Sequence, residues 1–167
     1  KQSLEASGYL TKFSKLIRMI LNSSTQNTLS LEEDLEALKL YLELERLRCD
    51  DMFNFIIKCS KEIYAETIQV PPMLMQPFVE NAIWHGLMHK ESEGNLVVSV
   101  DQYDALLVCT ITDDGVGRKK SAEMKNKSGK HQSMGMKITA ARIAMLNKMG
   151  ENGSPVNIKD LMNEDGT

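Results

Sequence analysis

The chain has 167 residues, with 20 Lys and Arg against 23 Asp and Glu, and a formal net charge of −3. This length suits one compact domain, or a smaller domain with a helical extension, and the mixed charges exclude the broad basic surface that binding to nucleic acid requires. The three cysteines lack the spacing of zinc ligands or of a disulfide framework, so we expect buried, reduced thiols in a cytosolic compartment, and no apolar run approaches the roughly 20 residues of a membrane helix.

The first fifty residues predict two helices. Apolar residues recur at helical spacing through residues 10–21, and Ser30 with Glu33 forms a capping box before a second helical run that extends to about Arg48. The apolar positions of the first run are Leu10, Phe13, Ile17, Ile20 and Leu21. The second run has one stripe at Leu31, Leu35, Leu38 and Leu42 and another at Leu40, Leu44 and Leu47. Two stripes indicate two packing partners, which are the first helix and a further element or a second subunit.

The pattern of apolar residues changes near residue 50 from helical spacing to alternation, and we predict a domain boundary there. Residues 52–59 alternate and are aromatic enough to predict a strand. The pair Pro71 and Pro72 ends the extended structure and opens a third helix, in which Pro77 is tolerated only in the first turn. Gly86 suits the end of this helix.

The second half of the chain predicts a hairpin and then a less regular region. Residues 95–100 and 106–112 are rich in Val, Leu and Ile and form two strands around a turn at residues 102–105. Residues 118–131 are basic and aperiodic, which indicates a mobile loop. Residues 134–149 return to helical spacing, and residues 155–161 suggest one more short strand.

The third predicted helix carries an amide and an imidazole on one face. Asn81 and His85 lie four residues apart, with Val79 and Ala82 among the apolar residues of the opposite face. An Asn side chain offers an oxygen to a hard cation and amide hydrogens to phosphate oxygens, so Asn81 is a candidate for holding magnesium against a triphosphate. The simpler interpretation is a polar helix face with satisfied hydrogen bonds. Glu80 is a candidate for polarising an attacking group, although a single Glu on a helix is usually solvated.

A carboxylate and two glycines follow the last strand of the hairpin. Asp113 would leave the end of a buried strand, where it can accept the exocyclic amine of adenine, and Gly115 and Gly117 permit close backbone approach and positive φ. An Asp-Gly pair is also a common turn signal, so the motif alone is weak.

A glycine near the start of the next predicted helix adds a candidate phosphate site. The helix end at Ser133, Gly135, Met136 and Lys137 offers free amide groups and a positive dipole to phosphate oxygens. The basic loop before it is a solvated charge run or a lid over the phosphates. The order of Asn helix, hairpin, Asp-Gly turn, basic loop and glycine-led helix is much less expected by chance than its parts.

These residues together resemble a known family. The order of motifs is similar to the GHKL, or Bergerat-fold, ATP-binding domain of histidine kinases, gyrases, heat-shock chaperones and mismatch-repair ATPases. More narrowly, residues 71–83 with His85 and Gly86, preceded by residues 31–48, resemble LytS-type bacterial two-component sensor kinases. The resemblance implies a two-layer α/β sandwich of the GHKL type after an N-terminal helical pair. Residues 1–49 would be the end of the dimerisation and phosphoacceptor region, and residues 50–167 the ATP-binding catalytic domain without its final strand.

The resemblance also implies roles for individual residues. Asn81 would coordinate Mg²⁺ and phosphate, with Glu80 beside it as a catalytic residue, and Asp113 would bind adenine. The other implied ATP-binding residues are His85, Gly115, Gly117, Ser133, Gly135, Met136 and Lys137. The implied activity is protein-histidine kinase, with Mg-ATP as phosphate donor and an acceptor histidine upstream, because no acceptor motif is present in this sequence. Implied partners are a response regulator and a second copy joined through the N-terminal helices, in the cytoplasmic part of a bacterial membrane sensor whose spans lie in other segments.

Several positions depart from the family pattern. Trp84 stands where the family commonly has a phosphate-contacting Lys, and Asp114 stands where it often has Asn. Ser133 replaces the usual glycine, and Ile138 replaces an Asn. These changes leave open a second hypothesis, a non-catalytic dimerisation and signalling module with a degenerate pocket. A third hypothesis, a stand-alone ATPase of the chaperone or topoisomerase type, is disfavoured because Pro77 occupies the position of the general-base Glu.

Overall fold

The computed structural model describes residues 2–104, 106–117 and 141, and within them it has a mixed α/β architecture. The helices are α1 (Gln2–Ser24), α2 (Leu31–Arg48) and α3 (Gln76–His85), followed by a single 3₁₀ turn at Leu87–His89. The strands are β1 (Leu29–Ser30), β2 (Phe53–Cys59), β3 (Gln69–Val70), β4 (Gly94–Tyr103) and β5 (Leu106–Asp113). A helical pair thus precedes a sheet that is covered by a helix. The GHKL sandwich itself remains a prediction, and the loop, helix and strand predicted beyond residue 117 lie outside the described residues.

Helices α1 and α2 run in opposite directions. Lys12 and Lys15 of α1 pair with Glu43 and Glu36 of α2 at 2.6 and 2.5 Å, which fixes the orientation although exposed pairs contribute little energy. The predicted helical spacing of α1 is confirmed, but the predicted stripe is not its buried face. Leu16, which the stripe omitted, is buried. The stripe residues that remain exposed are Leu10, Phe13, Ile17 and Leu21.

Helix α2 begins at the predicted capping box. The Ser30 hydroxyl accepts from the Glu33 backbone N–H at 3.2 Å, and the Glu33 carboxylate accepts from the Ser30 N–H at 3.0 Å. The hydrogen bonds that the Ser30 N–H and hydroxyl donate to the Glu33 carboxylate lower the pKa of Glu33. Leu31, Leu38 and Leu42 of the first stripe are buried, as predicted. The second stripe divides, with Leu44 buried, Leu40 partly buried and Leu47 46% exposed.

The main sheet has the order β2-β4-β5, with β2 parallel and β5 antiparallel to β4. Alternate residues of β4, including Leu96, Val98 and Val100, are fully buried against the helices. Side chains on the other face, such as Asn54 and Thr110, are exposed. The hairpin of β4 and β5 is confirmed and each strand is longer than predicted. Because period-two alternation puts one face toward the helices, the sheet and helices form two layers.

One hydrophobic core joins the helices to the sheet. Leu38 and Leu42 of α2 pack in the same cluster as Phe53 of β2 and Val79 and Ile83 of α3. The cluster therefore spans both sides of residue 50, where Asp50 and Asp51 with φ of 49° and 56° form the turn between α2 and β2.

A short second sheet ties the start of α2 to the segment before α3. Leu29 of β1 pairs with Val70 of β3, which the sequence did not predict. Nearby, the buried Asp34 carboxylate accepts from the Met73 N–H at 2.7 Å, and Met73 has a left-handed φ of 58°. This turn delays the third helix to Gln76, later than predicted from the proline pair, with Pro77 in its first turn as expected.

The cysteines are all free, in agreement with the absence of a disulfide framework, but they are not all buried. Cys49 is buried and Cys109 is partly buried, whereas Cys59 at the end of β2 is exposed. Burial raises the pKa of each thiol, and that of Cys109 to about 11, so these thiols stay protonated at neutral pH. The helices of the described part of the chain include none that is long and apolar enough to cross a membrane.

Candidate functional site

Helix α3 holds the candidate amide and imidazole at the edge of the core. Val79, Ala82 and Ile83 are buried and fix this helix on the sheet, as its apolar spacing predicts. Asn81 and His85 are each partly buried and lie one helical turn apart, on a flank beside that buried face. His85 is the last residue of the helix. The helix therefore carries Asn81 and His85 toward its C-terminal end.

Asp113 lies at the end of β5 on the side of the sheet that faces α3. It pairs in register with Leu96 and is two residues from Ile111, and both are on the helix-covered face. Its Oδ1 accepts from the Gly115 backbone N–H at 3.0 Å, which turns the chain sharply after the strand. The predicted placement of this carboxylate at a strand end is confirmed.

The loop of residues 113–117 packs directly on the end of α3. The Val116 N–H donates to the Gly86 carbonyl at 3.3 Å. A Cβ on Gly115 would stand 2.4 Å from the Gly86 carbonyl carbon, and a Cβ on Gly86 would stand 2.6 Å from Asp113 Oδ1. Two glycines are thus needed for helix and loop to approach each other. The structure brings Asp113 next to the helix end that carries His85, with Asn81 one turn further back.

The two predicted glycines of this loop have different structural reasons. Gly117 has a φ of +77° and open space where a Cβ would stand, so its glycine is explained by backbone conformation. Gly115 is explained by its contact with Gly86, which the sequence had suggested only as a helix end. No local signal in the sequence links Gly86 with Gly115, because the two positions meet only through the fold.

A polar clamp holds the same loop from the other side. The Asp114 carboxylate accepts from the backbone N–H and from Nδ2 of Asn95, both at 2.8 Å, and pairs with Lys90 Nζ at 3.0 Å. Partial burial alone would raise the pKa of Asp114, but the hydrogen bonds from Asn95 and Lys90 lower it. In the sequence Asp114 is only a departure from the family pattern, because Asn95 and Lys90 are distant along the chain and no local signal links them to it.

The side of α3 that carries Glu80 and Trp84 is turned toward α2. The Arg48 guanidinium carbon lies 4.5 Å from the centre of the Trp84 ring, a cation–π contact. One turn earlier, Glu80 Oε1 accepts from Gln76 Nε2 at 3.0 Å and lies near Tyr41 of α2. Trp84 therefore packs against α2, one helical turn after Glu80.

The groups between α2 and α3 are desolvated. Burial raises the pKa of Tyr41, reinforced by the charges of Glu45 and Glu80 and opposed by a hydrogen bond from Trp84. Burial also raises the pKa of Glu45, against the attraction of Arg48. Glu45 Oε2 is 3.2 Å from Arg48 Nη2, but their alignment does not make a well-formed hydrogen bond, so this is an ion contact only. Glu80 lies beside these groups, and its predicted role of polarising an attacking group stays a prediction.

Four predicted site residues, Ser133, Gly135, Met136 and Lys137, lie outside the described residues. Within the described ranges, no cluster of three or more His, Cys, Asp or Glu side chains is arranged to hold a metal ion. A cavity of about 170 Å³ lies elsewhere, between α1, α2 and the turn before α3, where Met19, Asp34 and Met73 are among its lining residues.

The first 53 residues match the family model described as histidine kinase. Among curated proteins, the chain is 32% identical over 115 residues to the sensor protein LytS of Staphylococcus saprophyticus, which covers 69% of this chain and 19% of that protein. It is 32% identical over 108 residues to the sensor protein LytS of Oceanobacillus iheyensis, covering 65% and 18%. It is 34% identical over 112 residues to the sensor histidine kinase/phosphatase LytS of Staphylococcus aureus strain MRSA252, covering 67% and 19%.

The match of residues 1–53 identifies the class of protein to which this region belongs, the histidine kinases. The curated relatives narrow it: the chain is part of a LytS-type two-component sensor histidine kinase. The chain spans about a fifth of the length of the relatives that it matches.

Proposed function

We propose that this chain carries the ATP-binding catalytic region of a LytS-type sensor histidine kinase. It would bind Mg-ATP and present the γ-phosphate to a histidine of the dimerisation and phosphoacceptor region, for relay to a response regulator. The observation that carries the proposal is the packing of residues 113–117 on Gly86, which brings the Asp113 carboxylate beside the end of the helix that bears Asn81. An adenine-binding group and a phosphate-binding group on adjoining elements suit one elongated nucleotide.

The described residues fit a magnesium nucleotide. Magnesium bound with a nucleotide takes most of its ligands from phosphates and water, so one protein oxygen, such as that of the Asn81 amide, is a sufficient contribution. Asp113 would accept the adenine amine and Gly117 would let the backbone approach the base. His85 would line the nucleotide between these ends. Phosphoryl transfer needs positioning and charge stabilisation more than covalent chemistry from the protein, which agrees with the absence of a strong base among these roles.

The remaining ATP contacts are proposed from the sequence. Ser133, Gly135, Met136 and Lys137 would supply backbone amides and one positive charge to the phosphates. In the whole protein, residues 1–49 would belong to the dimerisation and phosphoacceptor region, and residues 50–167 to the catalytic domain. The cytoplasmic side of a bacterial membrane is the proposed location.

A homodimer through the N-terminal helices is proposed for the whole protein. The stripe at Leu10, Phe13, Ile17 and Leu21 is exposed on α1, and Leu10 and Leu21 are more than 60% exposed. Such a stripe at helical spacing is typical of a helix that packs on another helix.

Titration calorimetry with Mg-ATP tests the proposed function. We expect saturable binding by the parent chain, and losses of about tenfold or more in Asn81→Ala and Asp113→Ala, because each removes a polar contact to a buried ligand group. Asn54→Ala, on the exposed face of the sheet, is the matched control and should bind as the parent does. Binding that is undetectable in the parent, or equal in all four proteins, would reject the ATP site.

The second candidate is a non-catalytic dimerisation and signalling module of the same fold. The exposed apolar stripe of α1 favours an interaction role whether or not the site transfers phosphate. Transfer of labelled phosphate from ATP to the longer protein, which includes the acceptor histidine, discriminates between the two: labelling supports the kinase and its absence supports the module.

A further inference from the structure

One contact joins the helical segment that matches histidine kinases to the helix that carries Asn81. Arg48, at the end of α2, lies over the face of Trp84 at 4.5 Å, and Tyr41, about two turns earlier on α2, lies within reach of a hydrogen bond from Trp84. Trp84 is the single tryptophan of the chain. The contact is therefore both specific in geometry and open to direct spectroscopic observation.

The contact at Trp84 affects the position of Asn81, because both residues are on α3. Val79 and Ile83 set how deeply α3 packs on the sheet, because both are fully buried. Trp84 is on the side of α3 toward α2, and Asn81, three residues earlier, is its neighbour along the same side of the helix. A helix is rigid at this scale, so a rotation of α3 that displaces Trp84 also displaces Asn81 relative to Asp113, which is fixed in β5 by its pairing with β4.

The acidic groups at this interface make Arg48 necessary there. Glu45 is 92% buried and Glu80 is partly buried. Burial raises the pKa of Tyr41 between them, and the negative charges of Glu45 and Glu80 add to this rise. Arg48 is the cation that contacts both Glu45, at 3.2 Å, and Trp84. Without it, two like charges would face each other across the helices with no counter-charge at this contact.

We propose that Arg48 and Tyr41 are positioning residues, which grip Trp84 and so set the rotation of α3 that aligns Asn81 with the magnesium and phosphates of ATP. The proposal rests on the Mg-ATP site proposed above. In it, Glu80 belongs to the contact with α2 and acts through the helix, without touching the nucleotide.

The test compares Arg48→Met with Arg46→Met in the full 167-residue chain. Arg46 is on the same helix but pairs with Asp51 at 2.9 Å, so it is the matched control. Trp84 fluorescence without nucleotide reports on the contact. The affinity for ATP is then measured with Mg²⁺ and with a chelator, because the ratio of the two affinities isolates the part of binding that depends on magnesium.

We expect Arg48→Met to change Trp84 emission and to lower the Mg-ATP affinity about three- to tenfold, as suits the loss of one cation–π contact. The magnesium ratio, which is the ATP affinity with Mg²⁺ divided by the affinity with chelator, should become smaller. Arg46→Met should leave emission and ratio unchanged. Arg48→Lys, which keeps the charge without the planar group, should be intermediate. Tyr41→Phe removes one oxygen only and should reduce the ratio in the same direction, which provides a second variant if Arg48→Met does not fold.

Three outcomes would overturn the positioning role. Unchanged emission in Arg48→Met means that the contact is not formed in solution. Equal magnesium ratios in Arg48→Met and Arg46→Met mean that the contact does not act on Asn81. A loss of ATP affinity that leaves the magnesium ratio unchanged means general destabilisation. A parent chain that fails to bind Mg-ATP removes the proposed function itself, and is thereby distinguished from these results.

Discussion

The two ends of the described chain are attached to the core in different ways. The loop of residues 113–117 is held by backbone contact with Gly86 and by the clamp of Asp114 on Asn95 and Lys90. Helix α1 is held by Leu16 and by two ion pairs at the surface, and its apolar stripe faces solvent. The difference indicates that tight packing fixes the loop at the candidate site in advance, whereas α1 is free to adjust its partner and position.

The largest expected effect comes from a methyl group at Gly115. Gly115→Ala places a Cβ 2.4 Å from backbone of Gly86, where no flexible side chain can give way, so we expect a loss of about 3 kcal/mol in the free energy of unfolding. Gly8→Ala in α1 meets nothing within 4 Å and should stabilise by up to about 1 kcal/mol. Urea denaturation of both variants measures the contrast. Equal small effects would mean that loop and helix do not pack as closely as described.

The next effect concerns the buried Asp34 at the turn before α3. Burial raises the pKa of Asp34 to about 6 from its ordinary 3.8, against hydrogen bonds from the Met73 and Leu74 N–H groups that lower it. The folded chain therefore binds this proton more tightly than the unfolded chain. The stabilisation is complete below pH 3.8 and is lost as the pH rises through 6, and it amounts to about 3 kcal/mol at most.

Asp34→Asn keeps an acceptor for Met73 and removes the charge. We expect the variant to be more stable than the parent at pH 7 by about 1–3 kcal/mol, and to lose the decline in stability between pH 4 and pH 7. Thermal unfolding across this range measures it, with Asp101→Asn on the solvent side of β4 as the control. Parallel stability curves for parent and Asp34→Asn would contradict an ionisable buried group at this turn.

The smallest effects compare polar contacts at the two ends. Asp114→Ala removes three contacts that hold the loop, and we expect a loss of about 1–2 kcal/mol, together with weaker Mg-ATP binding. Lys12→Met removes one partly exposed pair with Glu43 and should cost less than about 0.5 kcal/mol, with no effect on nucleotide binding. Denaturation at low and high salt measures both, since the Lys12 pair should vanish in salt. A larger loss from Lys12→Met would reverse the proposed contrast between the ends.

Local signals in the sequence were sufficient for several elements. The capping box at Ser30 and Glu33 and the run to Arg48 predicted α2 within a residue of its bounds, because caps and helical spacing act over a few positions. The strand end at Asp113 was also predictable from local signals, because an apolar run precedes it and an Asp-Gly turn follows it. The buried face of α1 was not, since Leu16 and the exposed stripe are equally apolar and only the partner decides which side is covered.

The contacts that organise the site were not predictable, because they join distant positions. Gly86 meets Gly115, and Arg48 meets Trp84, only after the helices have packed on the sheet. Asp34 restrains Met73 in a left-handed conformation that the residue itself does not favour. Spacing along the chain carries no information on such pairs. The sequence therefore indicated Gly86 only as a helix end, and Trp84 and Asp114 only as departures from the family pattern.

The two-residue ladder of β1 and β3 bears on how the chain folds. Pairing Leu29 with Val70 closes a loop of about forty residues, whose entropy must be lost before the ladder gains anything. The capped start of α2 needs no such closure, so its amides should acquire protection from hydrogen exchange before those of residues 69 and 70. Refolding would then proceed from the helix outward, and the turn that leads into α3 would be among the last parts to become ordered.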